Sequence, residues 1–73
     1  PLECTFSSCH HNRILVNGQR IRKVICPEVP LSIRMEEESG QVFVHALPDA
    51  PEKVTLSVIT NGGLVQDLEI SFG

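Results

Sequence analysis

Asn12-Arg13-Ile14-Leu15-Val16-Asn17-Gly18-Gln19-Arg20-Ile21-Arg22-Lys23-Val24-Ile25 consists of two apolar runs hinged on Asn17-Gly18. Asn-Gly between apolar runs is the strongest short hairpin signal, because both residues tolerate the positive φ of a type I′ turn. The spacing predicts a hairpin whose returning strand carries Arg20 and Arg22 on one face and Ile21 and Ile25 on the other. Pro27 and Pro30 end that strand, since proline cannot donate to a β-ladder.

The same two-residue alternation continues to the end of the chain. Leu31, Ile33 and Met35 alternate with Ser32, Arg34 and Glu36, the pattern of a half-buried strand. Glu36 to Gly40 is a charged turn. Gln41 to Leu47 is apolar on both faces apart from His45, which suits a central strand. Pro48 to Pro51 is a loop. Val54, Leu56 and Val58, and then Leu68, Ile70 and Phe72, mark two further strands around the tight-turn sequence Asn61-Gly62-Gly63. No stretch carries apolar residues at helical spacing over the ten or so positions a helix needs. The expected fold is therefore all-β: a small antiparallel β-sandwich or open barrel of six strands, or seven if Leu2 to Phe6 forms one.

The chain has 73 residues, of which 41% are hydrophobic, so it is one domain with a thin core. Phe6, Phe43 and Phe72 are the only large aromatics, leaving branched aliphatics to do most of the packing. Residues 1–11 are expected to be an amino-terminal extension, partly flexible, ahead of a single β-domain over 12–73. With Pro1 first, the expectation is either a removed signal peptide or a fragment of a longer chain. No apolar run approaches the roughly 20 residues of a membrane-spanning helix.

The net charge of −3 hides an asymmetry. Arg13, Arg20, Arg22, Lys23 and Arg34 precede residue 35, whereas Glu36, Glu37, Glu38, Asp49, Glu52, Asp67 and Glu69 follow it. One basic and one acidic surface are expected unless the halves interleave in space. Arg13, Arg20, Arg22 and Lys23, grouped on the hairpin, are the candidate partner-binding residues. The alternative is that they only solubilise a strand face.

Candidates for chemistry are few. Cys4, Cys9, His10 and His11 form the only cluster resembling a metal site. Their Cys-x4-Cys-His-His spacing lacks the second ligand pair of a zinc site, so no metal is expected. In an oxidising compartment the three cysteines make one disulfide and a free thiol, with Cys4–Cys9 closest in sequence and Cys26 able to join either. His45 reads as a hydrogen-bonded structural group. Glu36-Glu37-Glu38 is a solvated turn, because consecutive carboxylates diverge where calcium loops alternate their ligands. The basic hairpin lacks the aromatic platforms of single-strand nucleic-acid binders, so direct nucleic-acid binding is not expected. No catalytic motif and no cofactor fingerprint is present, and an enzyme is not expected.

From Asn12 onward the chain resembles a known family. Asn12 to Ile21 resembles the opening NRI-x-V-[DN]-G-x-R-I of the TraK family of F-type conjugation proteins. Gly40 to Asp49 resembles its G-x-VFV-x-x-L-x-D segment, and the last two strands around a glycine turn also fit. Cys4, Cys9, Cys26 and His11 lie outside the pattern. The resemblance implies the amino-terminal β-domain of a structural subunit in a secretin-like, type IV secretion outer-membrane core complex. It further implies a periplasmic location at the outer membrane, and a ring assembled with a lipoprotein and an inner-membrane-anchored scaffold. The isolated fragment is expected to be monomeric. The alternative function is a free-standing extracellular adhesion or ligand-binding β-module.

Overall fold

The computed structural model describes residues 1–73 and contains seven strands and no helix. They are β1 (Leu2–Phe6), β2 (Asn12–Ile14), β3 (Ile21–Ile25), β4 (Leu31–Glu36), β5 (Gln41–Ala46), β6 (Lys53–Thr60) and β7 (Val65–Phe72). A four-stranded sheet has the order β1-β7-β6-β3 and a three-stranded sheet the order β2-β5-β4. The two sheets enclose one core of Ile21, Val42, Val44, Leu56, Val58, Leu68 and Ile70. This is the expected all-β sandwich with its seventh strand present: Leu2–Phe6 adds to β7 in parallel, Phe6 opposite Phe72. The two rings meet edge to face, with centroids 6.3 Å apart, and close that end of the sheet.

Strand alternation sets the core. Val54, Leu56 and Val58 of β6 and Leu68 and Ile70 of β7 are buried, while Thr55, Asp67 and Glu69 face outward. Gln41–Ala46 is the central strand of its sheet, as its two-sided apolarity predicted, with Val42 and Val44 fully buried. Thr60 is the one buried polar side chain. It is satisfied, because its hydroxyl donates to Gln19 Oε1 and accepts from the Leu64 N–H at 3.1 Å.

The Asn17-Gly18 hairpin is not formed. Gln19 N–H donates to the Val16 carbonyl at 3.2 Å and closes a tight turn, but β2 and β3 then enter different sheets. Gly18 has φ 74° and Asn17 has no positive φ. A single positive φ at the third turn position is the pattern of a type II turn, which splays its flanking strands where type I′ would keep them paired. The chain therefore turns a corner between the layers. The hairpins of the fold are β4–β5, around the acidic turn, and β6–β7, around Asn61-Gly62-Gly63.

The facing of β3 also departs from expectation. Ile21 pairs with Thr60 and Lys23 with Ile59, so Arg22 is an extra residue, a β-bulge. A one-residue insertion reverses the side-chain parity beyond it. Val24 and Cys26 consequently pack against the core, and Ile25, expected on the face of Ile21, points outward with 53% of its surface exposed.

The corner is locked from two sides. Arg20 C=O accepts from Asn61 N–H at 2.8 Å, and Arg20 N–H donates to Asn61 Oδ1 at 3.1 Å. Ile21 N–H donates to Gly40 C=O at 2.8 Å. Gly40 has φ 70°, and a Cβ there would lie 2.5 Å from Arg20 Cβ and 2.7 Å from Arg20 Cα, so only glycine fits this approach.

Residues 7–12 are tied down by side chains. Asn12 Oδ1 accepts from Ser7 N–H at 2.8 Å, and Asn12 Nδ2 donates to the Ser7 carbonyl at 2.9 Å and the Val44 carbonyl at 3.3 Å. All three cysteines are free thiols. β1 and β3 are opposite edges of one sheet, three strand spacings or about 14 Å apart. Cys4 and Cys26 therefore stand too far apart for an intramolecular disulfide.

Candidate protein-interaction surfaces

The four candidate residues of the basic hairpin do not form one patch. Arg13 lies on β2, in the other sheet from Arg22 and Lys23 of β3. Arg20 sits in the corner, where its guanidinium donates to the Glu37 carbonyl and braces the acidic turn. Arg22 and Lys23 are exposed on β3, an edge strand whose backbone beyond the Ile21 N–H to Gly40 bond has no partner on its outer side.

Register builds a different basic surface on the outer face of the three-stranded sheet. Arg13 and Arg34 both stand opposite Phe43, one on each side, to give a cross-strand row Arg13–Phe43–Arg34. In the next row His45 pairs with Ser32, and the His11 ring lies 5.0 Å from the His45 ring. A shallow groove of about 400 Å³ runs beside the rows, lined by His11, Arg34, Met35, Glu36 and Phe43. Two guanidiniums flanking a half-buried aromatic ring suit a planar carboxylate bound against an apolar base. Arg13, Arg34 and Phe43 are far apart in sequence and share no motif. The usable signal was parity, since Arg34, Phe43 and His45 are all at outward positions of adjacent strands.

The acidic turn is internally organised. Glu36 Oε2 accepts from the Ser39 hydroxyl at 2.5 Å and from Ser39 N–H at 2.8 Å, and Oε1 accepts from Glu38 N–H at 3.2 Å. These bonds, the Ser39 hydroxyl foremost, hold the Glu36 carboxyl below the usual range. Glu36 is thus a turn-capping group. Burial raises the Cys26 thiol, which lowers the fraction present as reactive thiolate. No three His, Cys, Asp or Glu side chains converge as a metal site would require, and Cys4, Cys9, His10 and His11 are not gathered into one.

The outer face of the four-stranded sheet is graded in charge. Glu3 of β1 and Asp67 and Glu69 of β7 occupy one side, and Lys23 of β3 the other. Glu3 stands directly opposite Glu69, a like-charged pair in register. Glu69 is answered only by an exposed Lys53 at 3.9 Å, and such pairs contribute little. Basic and acidic residues occur on both sheets, so the two halves of the sequence interleave in space, and charge is separated only between the two edges of the four-stranded sheet.

No curated protein matches the chain. The profile of the TraK N-terminal domain matches residues 1–72, taking in β1 and the cysteine-bearing segment as well as the motifs from Asn12 onward. The chain belongs to the TraK N-terminal domain family.

Proposed function

We propose that this domain is a structural module of a bacterial conjugation apparatus, a type IV secretion system, and acts by binding other subunits in the periplasm at the outer membrane. The single observation that carries the reading is the family match over residues 1–72. The surfaces are consistent with it: charged edges and a basic, aromatic-bearing sheet face suit polar protein contacts. In this reading the complete gene product forms a ring through contacts between copies, with a lipoprotein and an inner-membrane-anchored scaffold as further partners. The Arg13–Phe43–Arg34 row serves a carboxylate-bearing segment of one such partner. The module has no catalytic task.

The test is removal of residues 1–73 from the complete gene product in cells carrying the rest of the apparatus. Co-purification of the truncated protein with its outer-membrane partners should fall, and DNA transfer between cells should drop with it. Undiminished transfer and undiminished co-purification in the truncated strain would sink the reading.

A further inference from the structure

Three features of the four-stranded sheet belong to its two free edges. At the β1 edge, Glu3 lies opposite Glu69 with no ion-pair partner of its own. Like charges directly opposite are unfavourable in a sheet, and the one cation near them, Lys53, reaches Glu69 at 3.9 Å and leaves Glu3 unanswered. The same edge borders an open apolar seam of about 450 Å³, lined among others by Leu2, Cys4, Phe6, Ile14, Leu15 and Leu68. At the β3 edge, Arg22 and Lys23 are exposed and unpaired.

Strand direction makes the two edges compatible. β1 is parallel to β7, β7 antiparallel to β6, and β6 antiparallel to β3, so β1 and β3 run the same way. A second copy set beside the first without inversion presents its β3 to β1 in parallel. Both strands have five residues. With Lys23 of the neighbour beside Glu3, Val24 falls beside Cys4 and Ile25 beside Thr5. Lys23 and Glu3 then share the outer face, because Lys23 and Glu3 have the same parity as Ile59 and Glu69. The bulge at Arg22 limits regular pairing to Lys23–Ile25.

We infer that β1 of one copy and β3 of the next form a head-to-tail sheet-edge contact, in which Lys23 neutralises the Glu3–Glu69 pair and the neighbour closes the apolar seam. This rests on the assembly reading above and identifies the surface it uses. Pairing β1 with β1, or β3 with β3, brings like charges together and is disfavoured, so the contact is directional and propagates to a ring or filament rather than a twofold dimer. Three residues per strand give a weak contact, which becomes effective when other parts of the complex hold the copies close. An edge strand bearing Lys and a bulge is also a common device against unwanted pairing, and the experiment separates the two roles.

The complete gene product is expressed with its partner subunits as Glu3→Lys, as Lys23→Glu, and as the exchange carrying both. Each single change should weaken self-association roughly tenfold at low salt, and the exchange should restore most of it. In a Cys4→Ser, Cys9→Ser, Cys26→Ser background, Thr5→Cys with Ile25→Cys should cross-link copies into a ladder. Parent-like assembly in both single variants, or no ladder from the Thr5–Ile25 pair in an assembled complex, overturns the edge contact and leaves the assembly reading standing. A parent protein that stays monomeric beside its partners overturns both.

Discussion

Gly40→Ala should be among the most damaging single-methyl additions to this chain. The methyl group meets Arg20 Cβ at 2.5 Å and Arg20 Cα at 2.7 Å, and the backbone at Gly40 has φ 70°. A non-glycine residue in that left-handed conformation costs roughly 1 kcal/mol. Forcing apart a packed backbone adds about 1–3 kcal/mol. The Ile21 N–H to Gly40 C=O bond holds the two segments together, so they cannot separate without losing it. The sum is roughly 2–4 kcal/mol against a total stability of about 4–11 kcal/mol for 73 residues. Gly18→Ala is the control: φ is 74°, yet nothing lies within 4 Å of the added Cβ, so only the backbone cost of roughly 1 kcal/mol applies. Urea unfolding of the parent and both variants, followed by far-ultraviolet circular dichroism, gives the comparison. Gly40→Ala should lose at least about 1 kcal/mol more than Gly18→Ala. Equal midpoints for the two variants would refute the close approach of the acidic turn to the corner.

Glu36 links stability to pH. Its folded pKa is depressed, so its contribution is present above the unfolded value of about 4.3 and is lost as pH falls through the lower folded value. Ser39→Ala should bring the Glu36 titration, followed by nuclear magnetic resonance, back toward the ordinary range; an unmoved titration contradicts the capping role. Glu3→Lys should raise the melting temperature of the isolated domain, by up to about 1 kcal/mol equivalent, through relief of the Glu3–Glu69 pair. A lower melting temperature contradicts that. Among the thiols, exposed Cys9 should alkylate before half-buried Cys26, whose thiol is raised by burial. Mass spectrometry of partially labelled protein, with Cys26 modified first, would count against the packing of β3.

The strands were legible because alternation survives in a half-buried sheet: Leu56-Ser57-Val58 and Leu68-Glu69-Ile70 state their facing residue by residue. Gln41–Ala46 announced its central place through apolar residues on both faces. What local sequence could not state was sheet membership. Asn17-Gly18 promises a turn and delivers one, but Asn-Gly is compatible with turns that pair strands and with turns that divert them. The diversion is decided by Gly40 and Asn61, far along the chain, gripping Arg20 and Ile21. The bulge at Arg22 was hidden for the same reason, since it exists only relative to β6. The four basic residues around Asn17-Gly18 are neighbours in sequence but not in space, because Arg13 lies in the other sheet from Arg22 and Lys23. The Arg13–Phe43–Arg34 row needs the register of three strands before its members become neighbours.

The most direct measurement is the size distribution of the complete gene product expressed with the other subunits of the proposed apparatus, for the parent and for Lys23→Glu at physiological salt. A domain that assembles through its charged edges should give a large complex for the parent and a smaller or absent one for Lys23→Glu, with circular dichroism unchanged. Complexes of equal size and equal salt resistance would contradict assembly through this strand edge.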